Sequence, residues 1–436
     1  MSQGDALHQL ESQQNHLLEP KRHQRWYERI LLNSPLWQSI SFALVLLSPF
    51  WLAYRQWLPG DANQTMTLFV LAATFITNLL LSRALGQYPG GNLLPYQLSV
   101  TGITISLAIF TVIALRLGYS RLPLFIGFVL ILAHQGLALA VKARFRYTKL
   151  AFVPGTRFEE PEREHEQYRF CYLTDPNDKR RFDVLVVDMD TKLNDDWVRF
   201  IARHHSRRIP VLSSRSLLEA MTGSVDLDTL SNSDFEAFQP NPLYLLGKRA
   251  LDILGVLMLA PITLPICLIT ACIIRWETPG PALFIQKRMG AGNRPFYMLK
   301  FRSMSMDDRP EGARFVIDDE HRITRFGRLV RRSRLDELPQ LWNVLIGDMS
   351  LIGPRPEQPE FAEAFERDVP FYSYRHIIKP GISGWAQVQQ GYVAGLAETR
   401  KKVEHDFYYI KHQCFGLDIL IVLKTIRTIL TGFGAK

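Results

Sequence analysis

Residues 248–276 read KRALDILGVLMLAPITLPICLITACIIRW, and the path of this run decides the fold. From Ala250 to Ile274 it is apolar for longer than the roughly 20 residues a spanning helix needs. Basic side chains flank both ends, Lys248 and Arg249 before it and Arg275, Lys287 and Arg288 after it. The bias of Lys and Arg toward the cytoplasmic side of a membrane then keeps both ends on that side. Pro261 and Pro265 lie mid-run, where each removes a backbone donor and bends a helix. The pattern fits a helix over 248–275 that enters the bilayer, turns and leaves by the same face, with Lys248 and Arg249 in reach of lipid phosphates. The alternative is a kinked spanning helix, which would put the rest of the chain on the other side.

Four more apolar segments precede this run, near Leu36–Leu58, Met66–Leu81, Leu98–Leu117 and Leu122–Val141. They predict a four-helix transmembrane bundle over 36–147, after a polar cytoplasmic segment over 1–35 that lacks the apolar core of a secretory signal. With the N-terminus inside, the inner loops hold Lys21, Arg22, Arg25, Arg29, Arg83, Lys142, Arg144, Arg146 and Lys149. The outer loops hold only Arg55, Arg116 and Arg121. The spans carry almost no ionisable group besides His134, so the bundle reads as an anchor rather than a transport path.

From residue 148 to 241 short apolar runs alternate with polar helical stretches. Strands are expected at Leu150–Val153, Arg169–Leu173, Asp183–Val187 and Ile209–Leu212, and helices near Asp195–His205 and Ser216–Met221. The order predicts a small Rossmann-like α/β domain with a parallel sheet. Its first turn, Val153-Pro-Gly-Thr156, has one glycine where a dinucleotide site needs three, so no nucleotide site is read there. The stretch Gly223–Pro242, rich in Ser, Asp and Asn, reads as a linker.

The composition sets outer limits. The 436 residues are 47% hydrophobic and 21% charged, which excludes a mainly disordered chain. Four scattered cysteines make neither a disulfide framework nor a zinc site. The net charge of +9 suits an anionic partner. The basic residues concentrate between Lys287 and Arg334, but no nucleic-acid motif accompanies them. Arginines in such a stripe equally suit a diphosphate.

Next comes Ser333-Arg-Leu-Asp-Glu-Leu-Pro-Gln-Leu-Trp-Asn-Val-Leu-Ile346, whose apolar residues recur at helical spacing with Ser333 as a candidate N-cap. Asp336 and Glu337 then fall in the first turn. They complement the helix dipole, or one of them is a carboxylate nucleophile whose neighbour assists. Gly353-Pro-Arg-Pro356 fixes the backbone around Arg355, which pre-organises a guanidinium for phosphate. Lys379-Pro-Gly-Ile-Ser-Gly-Trp-Ala-Gln-Val388 is a rigid turn ahead of an aromatic and an amide.

Together with Lys300-Phe-Arg-Ser-Met304 and Gly347-Asp-Met-Ser-Leu-Ile352, these stretches closely resemble the bacterial sugar transferases, or monotopic phosphoglycosyl transferases. The resemblance is strongest over 242–436, and the bundle with its α/β domain looks like the long form of the family. It implies a mainly helical catalytic domain with a re-entrant membrane helix. It also implies transfer of a sugar-1-phosphate from a UDP-sugar to undecaprenyl phosphate, with release of UMP, to begin an exopolysaccharide, capsule or O-antigen. Asp336 would form a covalent phospho-sugar and meet Mg2+, with Glu337 completing the dyad. Arg355, Pro354 and Pro356 would serve the nucleotide end. Arg331, Lys300, Arg302 and Gln387 would hold phosphates or nucleotide. The resemblance further implies a homodimer in the bacterial inner membrane, with the catalytic domain cytoplasmic and no nucleic-acid partner. Some members break the re-entrant helix at Ser-Pro, whereas here Leu264 precedes Pro265. An alternative that keeps the fold is a membrane-anchored scaffold without turnover. No residue in the sequence discriminates the sugar.

Overall fold

The structure, a computed structural model, describes residues 34–86, 88, 94–145, 148–158, 168–178, 180, 182–188, 191–207, 209–230, 238–305, 322–390 and 396–431. The basic N-terminal residues Lys21, Arg22, Arg25 and Arg29 lie outside them. The chain divides into two compact units, Met1–Thr222 and Gly223–Lys436.

The first unit opens with four apolar helices, α1 (Ser34–Tyr54), α2 (Ala62–Leu85), α3 (Leu94–Ala114) and α4 (Arg121–Phe145), each long and apolar enough to cross a membrane. The second is longer than its apolar run. Asp61 caps its start, accepting from the Gln64 backbone N–H at 2.7 Å, and helix continues through Ser82 and Arg83. Val45, Leu71, Phe75, Leu124, Phe128 and Ile131 form a common core. A polar seam crosses it, where Gln135 Nε2 donates to Gln97 Oε1 (2.9 Å) and Thr101 Oγ1 to Asn78 Oδ1 (3.1 Å). Such pairs join helices whose apolar sides gain nothing from leaving lipid. His134 packs between Trp37 and Phe75.

A four-stranded parallel sheet follows, with β1 (Thr148–Phe152), β2 (Tyr168–Tyr172), β3 (Val184–Val187) and β4 (Val211–Ser213) in the order β2-β1-β3-β4. Between β3 and β4 runs α5 (Asp195–Ser206), and α6 (Ser214–Thr222) follows β4. Alternate residues of the strands serve opposite faces. Ala151, Leu185 and Val187 pack with Trp197 and Phe200 of α5. Leu150, Phe152 and Val186 pack with Leu217 and Met221 of α6. Burial on both faces is why Val184–Val187 is apolar without alternation.

In the second unit, Gly223 and Val225 are already packed in. The Gly223 carbonyl accepts from Trp385 Nε1 at 2.7 Å, and the Val225 N–H donates to the Glu404 carbonyl. Next is α7 (Pro242–Glu277), helical throughout with Pro261 and Pro265 inside it. A hairpin of β5 (Leu283–Met289) and β6 (Pro295–Phe301) pairs Phe284 with Lys300. Then come α8 (Arg325–Arg332), α9 (Gln340–Ile346), β7 (Ser350–Ile352), α10 (Pro359–Asp368), β8 (Gly381–Ser383), α11 (Trp385–Gln390), α12 (Leu396–Lys411) and α13 (Phe415–Thr431).

Two parts of α7, one in its first half and one near its C-terminal end, pack on this unit. Val256 joins Phe296, Met298, Val344 and Met349, while Ile274 joins Ala282, Phe301 and Val330. Between them Met258, Ile262, Leu264 and Leu268 are exposed.

Candidate active site

Asp336 and Glu337 sit in a tight 3-10 turn, Leu335–Glu337, between α8 and α9. The single helix capped by Ser333 that the spacing predicts does not form. Ser333 instead ends α8, its hydroxyl donating to the Leu329 carbonyl at 2.7 Å, and Arg334 adopts a left-handed φ of 54° that breaks the helix. Helix resumes after Pro339, whose fixed φ suits a first turn. Adjacent side chains of a 3-10 turn diverge by about 120°, so the two carboxylates face different surroundings.

Glu337 is buried and held. Its Oε1 accepts from Arg355 Nη2 at 2.9 Å, and its Oε2 lies 3.5 Å from Arg334 Nη1. Burial alone would raise its pKa, but Arg355, Lys300 and Arg334 outweigh it and bring it down to about 2. Asp336 is half-buried, and no hydrogen bond or ion pair engages it among the described residues. Burial, then the charge of Glu337, pushes its pKa up to about 6, against the pull of Lys300, Arg355 and Arg331. The dyad is thus split into one carboxylate locked as an anion and one left free among cations. Lys300, on β6, is pushed down to about 8 by burial and then by the Arg355 charge.

The stretches around Arg355 and Lys379 prove to be one device. Parallel strands β7 and β8 pair Ser350 with Gly381 and Ile352 with Ser383, and the Gly381 N–H donates to the Pro354 carbonyl at 2.9 Å. Only glycines allow this approach, since a Cβ on Gly381 would lie 2.1 Å from Gly353 N. Arg375 Nη2 donates to the Arg355 carbonyl at 3.0 Å, and Arg288 Nη1 to the Pro356 carbonyl at 3.1 Å. Arg375 is itself fully buried against Asp406 at 2.7 Å. Sequence reasoning missed Arg375 and Asp406, and read Arg288 only as a basic residue flanking the apolar run. A lone Arg after Tyr374 carries no local signal, and its partner Asp406 lies 31 residues away.

The structure brings Asp336, Glu337, Lys300, Arg331 and Arg355 together. Arg331 Nε also donates to Ser303 Oγ at 2.8 Å. Arg302 is not with them. Its guanidinium binds the Thr278 and Pro279 carbonyls, each at 2.8 Å, and so staples the chain leaving α7. Strand β6 ends at Phe301, so the alternation that would put residue 302 beside residue 300 stops one residue short. Gln387, on α11, lines a cavity together with Glu337. Lys248 and Arg249, expected in reach of lipid phosphates, are bonded within the unit. Lys248 Nζ pairs with Asp418 Oδ2 of α13 at 2.9 Å, and Arg249 donates to the Val344 and Leu345 carbonyls (2.5 and 2.8 Å), the unsatisfied end of α9. Asn343 ties α9 to β6, accepting from the Leu299 N–H and donating to the Tyr297 carbonyl.

No group of three or more His, Cys, Asp or Glu that could hold a metal occurs among the described residues. Mg2+ commonly takes one or two protein carboxylates and completes its shell with water and substrate phosphate. Asp336, with free oxygens, meets that need, whereas Glu337 is committed to its arginines.

Known proteins are similar to this sequence. Residues 243–432 match the family described as bacterial sugar transferase. The UDP-N-acetylgalactosamine-undecaprenyl-phosphate N-acetylgalactosaminephosphotransferase of Aeromonas hydrophila is 42% identical over 424 residues, 95% of this chain and 99% of that protein. The chain belongs to the bacterial sugar transferases. It has the long form, with apolar helices ahead of the transferase region. Other sugar transferases match a shorter stretch. A UDP-glucose:undecaprenyl-phosphate glucose-1-phosphate transferase of Xanthomonas campestris pv. campestris is 43% identical over 169 residues, 38% of this chain and 35% of that protein. A putative undecaprenyl-phosphate N-acetylgalactosaminyl 1-phosphate transferase of Bacillus subtilis is 41% identical over 157 residues, 36% of this chain and 88% of that protein.

Proposed function

We propose that this sugar transferase moves a sugar-1-phosphate from a UDP-sugar to undecaprenyl phosphate through a covalent intermediate on Asp336. An Asp336 oxygen attacks the phosphorus that carries the sugar, and the bond from that phosphorus to the UMP oxygen breaks. UMP leaves with the electron pair. A phosphate oxygen of undecaprenyl phosphate then attacks the same phosphorus and releases the Asp336 carboxylate. Splitting the transfer lets a soluble donor depart before a lipid acceptor arrives. The observation that carries this reading is the free Asp336 carboxylate among Lys300, Arg331 and Arg355, which offset the repulsion between an anionic nucleophile and an anionic diphosphate. Bound Mg2+ would neutralise diphosphate charge beside Asp336. Glu337, held by Arg355 and Arg334, orients the Arg355 guanidinium toward the phosphates.

The full-length likeness to the Aeromonas protein supports UDP-N-acetylgalactosamine as the donor to test first. The bundle α1–α4 would be the transmembrane anchor in a bacterial inner membrane, with the catalytic unit on the cytoplasmic side. Packing supports a re-entrant α7. A straight helix would separate Val256 from Ile274 by about 27 Å at 1.5 Å per residue. Met298 and Phe301, in the clusters they join, are only about 10 Å apart along a strand. A bend at Pro261 and Pro265 reconciles the two distances and leaves Met258, Ile262 and Leu264 to enter lipid. Homodimerisation rests on the family resemblance, and sizing in detergent tests it. The decisive experiment is UMP release from a panel of UDP-sugars with Mg2+ and undecaprenyl phosphate. Lipid-dependent release lost in Asp336→Asn supports the reading, and release that survives the substitution overturns it.

A further inference from the structure

We propose that Arg375 and Arg288 are positioning residues of the transferase, which aim the Arg355 guanidinium by holding the backbone that carries it; the inference rests on the transferase reading above. Pro354 and Pro356 fix φ on either side of Arg355, and a residue before proline is confined to extended backbone. Neither ring fixes the tilt of the peptide planes, which is set by what the carbonyls bond. Three carbonyls in succession are taken. Pro354 accepts from the Gly381 N–H at 2.9 Å, Arg355 from Arg375 Nη2 at 3.0 Å and Pro356 from Arg288 Nη1 at 3.1 Å. One donor is the backbone of β8. The other two are guanidiniums, whose charge strengthens the bond. From this frame the Arg355 side chain reaches Glu337 at 2.9 Å.

A further layer holds the two arginines. Arg375, in the 3-10 turn Tyr372–His376, donates from Nη1 to the Tyr372 hydroxyl at 2.8 Å and from Nη2 to Asp406 Oδ2 at 2.7 Å. Glu357, directly after Pro356, pairs with Arg288 at 3.8 Å and with Lys402. Lys402 and Asp406 lie one turn apart on α12, so a single helix face backs both arginines. Stability is a poor reason for this arrangement. The Arg375–Asp406 pair is fully buried, and a well-packed apolar pair of similar volume is often as stable or more so. What an apolar pair cannot do is donate to the Arg355 carbonyl. Asp406 then serves to keep the buried Arg375 charged and directed at that carbonyl.

The double change Arg375→Met/Asp406→Leu removes the bond and strands no charge. The full-length variant should stay folded in a thermal melt and yet release UMP about 10–100-fold more slowly in single turnover, since a misplacement of about 1 Å can cost that much. A cycle with Arg355→Gln reads the route. If Arg375 acts through Arg355, the double change should add less than about twofold once Arg355 is gone, because residues that act as a unit are not additive. Arg288→Gln, a change in the hairpin rather than in the buried pair, should show the same loss and the same overlap, and it decides the question if the buried double does not fold. Losses that multiply, or a folded variant at full rate, overturn the proposal while the transferase reading stands. The same cycles read in UDP binding by calorimetry need no turnover. No UMP from any donor overturns the transferase reading, and overlapping or independent losses of UDP binding still decide whether Arg375 and Arg288 position Arg355.

Discussion

Asp336→Asn should give an inactive protein that is more stable than the original. The carboxyl has an ordinary pKa of 3.8 and is raised to about 6 in the folded chain, chiefly by burial. The folded state therefore holds this proton more tightly than the unfolded state does, and stability is lost as pH rises from about 3.8 to about 6. The distance from 3.8 to about 6, at 1.36 kcal/mol per pH unit, is about 3 kcal/mol carried as strain at pH 7.5. Asparagine keeps the shape and removes the charge. For a unit of this size each kcal/mol moves the midpoint by about 2–4 °C, so a gain of roughly 6–12 °C is expected. Thermal unfolding in detergent, followed by tryptophan fluorescence at pH 7.5 and again near pH 4, measures it. The gain should shrink toward zero at the lower pH, where aspartate itself is protonated in the fold. No gain at pH 7.5, or the same gain at both pH values, would refute the charge argument.

The same groups set the pH dependence of turnover. UMP release should rise through about pH 6 as Asp336 ionises and fall above about pH 8 as Lys300 loses its proton, and a flat profile between pH 5 and 7 would count against Asp336 as nucleophile. Arg302→Gln should lower stability by about 1–3 kcal/mol, since it removes bonds to the carbonyls after α7, and leave kcat/KM nearly unchanged. A large loss of activity at unchanged stability would return Arg302 to the site. Asp406→Asn strands a fully buried Arg375 and should cost about 3–5 kcal/mol, with the double change to Asp406→Leu/Arg375→Met milder; a double as unstable as the single would refute this account. Arg355→Lys should cost about 100-fold in kcat, because an ammonium cannot reproduce the guanidinium's directed contacts, and rapid-quench measurement of UMP checks it.

Features governed by neighbours in the chain were legible without coordinates. The apolar runs of α1–α4 and α7, the doubly buried Val184–Val187 and the motif residues around Asp336 and Arg355 declare themselves through composition and spacing. One local reading failed for a local reason. Leu335, Leu338, Leu341 and Leu345 keep helical spacing across a 3-10 turn, and periodicity is blind both to that turn and to the left-handed Arg334 that cuts it off from Ser333.

Sequence alone thus determined the class of the chain, its apolar segments and the short list of charged residues that could do chemistry. Tertiary structure decided which of those residues share a site. Arg355 reaches Glu337 across 18 positions, Arg249 reaches Val344 across 95, and Arg302 turns to Thr278 although Lys300 is two residues away. A basic residue looks the same in sequence whether it ends on a substrate phosphate, a helix carbonyl or a buried carboxylate. Its partner is chosen by packing between distant segments, because the cost of burying an unpaired charge must be met by whatever acceptor the fold brings near.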